Sequence, residues 1–229
     1  MNRRILFTAC LVLVSALAAT AQFRLGPIGG LNFYRQVYKS NTLRYEAIFQ
    51  TQMSFNAGMI GDYVVTRKWS IQPELLYTRK GGIYKTDRPI VNEEYRANLG
   101  YVMMPVCATY KIDLNKAYFF VGAGPYAAKL LSSAHTFYSD GKNIENGPLQ
   151  VGTNFTTDQI KPWDFGVKLK AGFEMKKGMY MGAYYDIGAY DINPQFTVTR
   201  NKTYGIQWAF IFSTTEEDRY ERFENFYEF

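Results

Sequence analysis

The sequence predicts an all-β fold, an eight-stranded antiparallel up-and-down transmembrane β-barrel. Three observations carry that expectation. Apolar and polar residues alternate with period two in repeated segments between Phe23 and Phe212. The connections between these segments are alternately short and long. The apolar wall holds the large side chains, whereas the opposite wall is rich in glycine and charge.

The first element is not part of the fold. Arg3 and Arg4 precede an apolar run from Ile5 to Ala19, and Ala19-Thr20-Ala21 has the small-x-small form of a cleavage site. Residues 1–21 therefore read as a secretory signal peptide, with Gln22 as the first mature residue. An N-terminal anchor helix is the alternative, but the run is short and polar sequence follows at once. Cys10 lies too close to Arg4 for lipoprotein processing. With the leader removed, Cys107 is the only cysteine, so no internal disulfide is expected. No other stretch is long and apolar enough for a membrane helix, a test that barrel strands never meet.

Composition narrows the function classes. The 229 residues include 19 Tyr, 17 Phe and 3 Trp against 1 His, which argues for strands with interfacial aromatics and against a metalloenzyme. The formal charge is +6, and +4 without Arg3 and Arg4. Residues 213–229 carry six acids and two arginines, a net of −4, so residues 22–212 stand at +8. A basic body suits anionic lipid or nucleic acid. Secretion and the lack of any basic run exclude nucleic acid as a partner.

The elements follow in order. Strands are expected at 23–34, 51–65, 69–80, 98–111, 117–130, 163–174, 179–192 and 204–212. Each is long enough to cross a tilted bilayer, which takes about 9–11 residues. Tight turns fall at 66–68, 113–116 and 176–178. Longer loops fall at 35–49, 81–97, 131–161 and 193–203. The longest contains turn signals at Ser139-Asp140-Gly141 and Asn146-Gly147-Pro148, and is expected to form a hairpin that continues its strands beyond the membrane. Short periplasmic turns and long outer loops are the pattern of outer-membrane barrels, with both termini periplasmic. Residues 22–212 form the barrel and 213–229 an acidic, aromatic periplasmic tail.

The segment 163–174 shows the two walls. Trp163, Phe165, Val167, Leu169 and Phe173 share one face; Asp164, Lys168, Lys170 and Glu174 share the other. A soluble barrel of lipocalin type keeps its greasy wall inside. Here the small, charged wall suits a narrow interior, and Trp69, Trp163 and Trp208 near strand ends suit the lipid interface. Asp62, Glu74, Asp164, Lys168, Lys170 and Asp186 share the parity of the glycines, so they are expected to point into the lumen and pair.

Particular stretches resemble a known family. Ile71-Gln-Pro-Glu-Leu-Leu-Tyr-Thr-Arg-Lys-Gly81, Tyr101-Val-Met-Met-Pro-Val106, Gly122-Ala-Gly-Pro-Tyr126 and Thr203-Tyr-Gly-Ile-Gln-Trp-Ala-Phe-Ile-Phe212 are similar to the PorT-type outer-membrane β-barrel domain common in Bacteroidetes. The resemblance runs from about Gly26 to Phe212 and implies an eight-stranded outer-membrane barrel. It implies no activity. The chain departs from that pattern in the 17 residues after Phe212.

Candidate chemistry is sparse. His135, at Ser132-Ser-Ala-His135, is the only possible base for a lipid-modifying barrel, and the plain reading is a solvated loop histidine. No cofactor or metal is expected, with no cysteine pair and no carboxylate cluster of known spacing. Cys107 is expected to face inward as a small packing residue. The lumen charges read as a plug, because eight strands enclose only enough space for side chains. The first loop offers an aromatic-basic surface, Tyr34, Arg35, Tyr38, Lys39, Arg44 and Tyr45, suited to lipopolysaccharide phosphates or an envelope protein partner. The sequence leaves oligomeric state open. The expectation is therefore a non-enzymatic outer-membrane barrel, either structural or binding a partner or the envelope through its extracellular loops or periplasmic tail, with a small lipid-modifying enzyme as the alternative.

Overall fold

The computed structural model describes residues 23–39, 48–88, 91–194 and 198–213. The expected leader, most of the tail, and Arg44 and Tyr45 lie outside these. The described strands are β1 (Phe23–Lys39), β2 (Ile48–Gln50), β3 (Gln52–Val64), β4 (Trp69–Arg88), β5 (Val91–Asp113), β6 (Ala117–Ser139), β7 (Lys142–Gly147), β8 (Trp163–Met175), β9 (Met179–Gly188), β10 (Val198–Phe210) and β11 (Phe212–Ser213).

Eight of these strands form an antiparallel ring in the order β1-β3-β4-β5-β6-β8-β9-β10. It closes where β1 pairs with β10, from Ile28↔Ala209 to Lys39↔Val198. Closure leaves no unpaired edge, which is the condition for strands to sit in hydrocarbon. The short β11 extends the seam by pairing Leu25 with Phe212.

The three tight connections gather at one end of the ring. Val65 and Thr66 N–H both donate to the Trp69 carbonyl at 3.0 Å. Asn115 adopts a positive φ of 69°, and its N–H donates to the Asp113 carboxylate at 2.8 Å. Gly178 has φ 88°, and a Cβ there would stand 2.2 Å from the Ile211 carbonyl oxygen, so only glycine fits.

The opposite end differs from the sequence expectation. Residues 81–97 are mostly ladder, not loop: β4 and β5 stay paired up to Arg88↔Val91. Likewise β6 runs to Ser139, turns at Asp140-Gly141 and returns as β7. The loop expected at 193–203 is shorter, because β10 begins at Val198. The first loop is shortened from both sides by β1 and β2. Beyond the bilayer a strand needs no apolar face, so alternation fades while the hydrogen-bonded ladder continues.

One irregularity reverses the parity of β6. Tyr101 pairs with Leu130 but Gly100 pairs with Ser132, leaving Leu131 as an extra residue, 60% exposed. Beyond that bulge Ser133 and His135, rather than their neighbours, share the side of buried Leu99 and Ala97.

The large exposed residues form a continuous outer wall that includes Phe55, Trp69, Leu75, Phe173, Ile206 and Trp208. Such a surface is an aggregation liability in water and the normal state in lipid. The inner wall is not made of small residues alone. Tyr101, Phe120, Tyr126, Tyr180 and Tyr184 are buried there. Phe120 stacks on Tyr180 with centroids 4.5 Å apart. Its ring lies over Gly172 and Gly182, where a Cβ on either would come within 2.8 Å of Cζ. These glycines make room for inward rings as well as narrowing the barrel.

Candidate functional site: the charged lumen

The lumen buries five cations and five carboxylates among the described residues. They arrive there by strand parity, as even-numbered residues on β1, β3, β4, β8 and β9 and odd-numbered Lys111 on β5. They sort into three groups along the axis, each balanced in charge.

Nearest the tight turns, the Arg24 guanidinium bridges Asp62 and Glu174, with Arg24 Nε donating to Asp62 Oδ2 at 3.1 Å. Lys111 completes the square, meeting Asp62 at 3.2 Å and also bonding Glu174. Gln72 fixes the Asp62 carboxylate by donating to Oδ1 at 3.1 Å and accepts from Thr109. Lys111, two residues before the second tight turn, is thus a lumen residue. It shares the parity of buried Cys107 and Thr109, which the adjacent turn obscures in sequence. Cys107 itself is buried on the same inner wall.

In the middle, Glu74 accepts from Lys168 at 2.6 Å and from Lys170 at 2.7 Å. Lys168 also donates to Gln207 at 3.1 Å and lies 4.5 Å from the Tyr184 ring centre. Asp186 stands opposite Lys168 in the β8–β9 register and is buried, yet neither of its oxygens has a hydrogen-bond partner among the described residues. The Lys168 ammonium donates to Glu74 and Gln207 instead.

Farthest from the turns, Lys80 meets Asp164 at 2.9 Å and faces the Tyr126 ring at 4.1 Å. Asn201 also donates to Asp164, at 3.0 Å. Each of the three groups thus holds as many cations as carboxylates.

The candidate loop surface is not brought together. Tyr34 belongs to the lumen wall of β1, not to a surface: it is buried, and its hydroxyl donates to Gln52 Oε1 at 2.6 Å. Arg35, next along, points outward and is exposed. Tyr38 and Lys39 pair through their backbones with Thr199 and Val198. The side chains of Tyr38 and Lys39, and all of Arg44 and Tyr45, lie outside the described residues.

His135 is also relocated. It is on strand β6, not in a solvated loop, stacked on Tyr95 at 5.7 Å with Nε2 3.4 Å from Glu145 Oε1. The nearby Ser133 hydroxyl donates instead to the Leu149 carbonyl at 3.3 Å. A base and an acid are present, but no described hydroxyl is hydrogen-bonded to His135 as a nucleophile must be. No cluster of metal-binding residues occurs among the described residues.

The family comparison agrees with this architecture. The family described as outer membrane protein beta-barrel domain matches residues 16–193. No curated protein matches the chain. Among solved structures, it is similar to Ail, the attachment invasion locus protein of Yersinia pestis, at 12% identity and TM-score 0.40, covering 82% of this chain and 98% of Ail. It is similar to OprG of Pseudomonas aeruginosa at 11% identity and TM-score 0.41, covering 84% of this chain and 95% of OprG. Neisserial surface protein A is similar at 11% identity and TM-score 0.39, covering 82% and 97%.

Proposed function

The chain belongs to the outer membrane protein beta-barrel domain family, and on that premise we propose that it is a closed, non-enzymatic barrel that works through its surfaces. The observation that carries this reading is the filled lumen, with five cations matched by five carboxylates. A lumen occupied by mutually paired side chains offers no path for a solute, so binding falls to what the barrel displays. The tight turns face the periplasm and the β4–β5 and β6–β7 hairpins stand outside the cell, as the usual asymmetry of such barrels supports. The leader at 1–21 delivers the chain across the inner membrane, and both termini then lie in the periplasm. The Pro-Glu-Leu-Leu-Tyr block at 73–77 supports a place in the PorT-type branch. Partners of the outer surface are lipopolysaccharide and an envelope protein. The acidic tail at 213–229 is drawn to the basic turns, where Lys116, Lys176 and Lys177 are exposed, and covers the periplasmic mouth.

The competing reading, a lipid-modifying enzyme, draws its support from the His135–Glu145 contact. Lipid A incubated with the folded barrel and weighed by mass spectrometry separates the two. Unchanged mass is expected; gain or loss of an acyl chain overturns the non-enzymatic reading. Affinity purification from the native envelope then identifies any protein held by the hairpins.

A further inference from the structure

The outward face of the seam between β1 and β10 changes character abruptly. Along β1 the outward residues Phe23, Leu25, Leu31 and Phe33 give way to Arg35. Along β10, read away from the turns, Phe210, Trp208, Ile206 and Tyr204 give way to Lys202 and then Arg200. The register sets Arg35 directly opposite Lys202, with Arg200 opposite Val37 two residues farther out. Phe33 and Tyr204 stack immediately below, 5.5 Å between centroids. The same step recurs elsewhere on the ring: Arg79 follows Tyr77 on β4, and Lys129 follows Ala127 on β6, both exposed.

This juxtaposition is unfavourable by itself. Like charges facing each other across an antiparallel pair are destabilising. No acidic partner for Arg35, Arg200 or Lys202 occurs among the described residues, whereas every lumen lysine has one. The height of the cluster explains its sign. From Phe23 to Arg35 the strand rises about 40 Å, and a tilt of about 40° projects that to roughly 30 Å, the thickness of a hydrocarbon core. With Phe23 at one interface, Arg35 reaches the headgroups of the other.

We propose that Arg35, Lys202 and Arg200 form a clamp for a phosphate of outer-leaflet lipopolysaccharide, with Phe33 and Tyr204 as the shelf against which its acyl region lies. Guanidinium groups bind phosphate through paired N–H donors, and the lysine adds a mobile point charge. The lipid anion supplies the counter-charge that the described residues omit. This deepens the envelope-binding reading and rests on its orientation, though not on the closed lumen.

Native mass spectrometry of the folded barrel in neutral detergent tests the clamp, with diphosphoryl lipid A, monophosphoryl lipid A and phosphatidylglycerol as probes. Wild type should hold diphosphoryl lipid A, and the combined Arg35→Gln, Arg200→Gln, Lys202→Gln variant should bind it about tenfold or more weakly. A Lys176→Gln, Lys177→Gln variant at the turn end should bind as wild type. Heat-modifiable gel migration checks that each variant is folded. If the triple variant does not fold, Lys202→Gln alone should still weaken binding about threefold. The proposal is overturned if the folded variant retains wild-type affinity, if the turn-end variant loses as much, or if phosphatidylglycerol binds as tightly as lipid A. Detergent binding is indifferent to orientation, so such a failure leaves the orientation to labelling of a Ser139→Cys variant on intact cells.

Discussion

At the scale of single residues, Glu74 and Asp186 make opposite tests of the same lumen. Glu74 neutralises both Lys168 and Lys170, so Glu74→Gln leaves two ammonium groups short of a counter-charge. Breaking a buried pair in this way costs about 3–5 kcal/mol. Asp186 is buried without a hydrogen bond to either oxygen among the described residues. Asp186→Asn keeps its shape and removes an ill-satisfied charge, so stability should stay within about 1 kcal/mol of wild type or rise. Urea unfolding midpoints in detergent measure both. Equal losses from the two variants would show that Asp186 is held by the lumen as firmly as Glu74. Gly182 supplies a steric counterpart: Gly182→Val must displace the Phe120 ring and should lower the midpoint, by about 1–3 kcal/mol in stability.

At the scale of elements, the β4–β5 hairpin beyond the apolar belt carries surface ion pairs, from Lys85 and Arg96 to Glu94. Burial alone would raise the Glu94 carboxyl, but hydrogen bonds and charge from Arg96 and Lys85 outweigh it and leave it below its ordinary 4.5. Its folded pKa is therefore the lower one. The stabilisation it gives the β4–β5 hairpin is complete above 4.5 and is lost as pH falls through the folded value. For an exposed pair this is at most about 1 kcal/mol. Amide protection factors in 83–97 should fall between pH 6 and pH 3 in wild type, on the order of threefold, and fall less in Glu94→Gln. Equal decline in both would remove Glu94 as the cause. Much of this architecture is legible in sequence because lipid imposes alternation: 163–174 reads as a strand and is β8. Where lipid ends, the signal ends too, and 81–97 reads as loop though it is ladder. The extra Leu131 is invisible to a period-two reading, and His135 reads as a loop residue because 131–161 reads as loop although β6 runs to Ser139. Tyr34 reads as part of a loop surface, although its parity with Asn32 marks it as inward, just as parity with Thr109 marks Lys111.

At the scale of the whole molecule, two environments are sorted by one periodicity. The outer wall meets hydrocarbon, and the inner wall meets only itself. Three charge-balanced groups stacked along the axis make the interior a polar core, so the barrel is stabilised from within in a solvent that gives no hydrophobic drive to its outer face. The proposed orientation rests on the same asymmetry between tight turns and long hairpins. A Ser139→Cys variant should label on intact cells with an impermeant thiol reagent, and Lys176→Cys should not; the reverse pattern would invert the topology. Planar-bilayer recording of the folded wild-type barrel decides whether its own ion pairs close the lumen. A quiet bilayer, without large, steady open levels, is expected. Sustained, reproducible channel openings from the wild-type protein would contradict it.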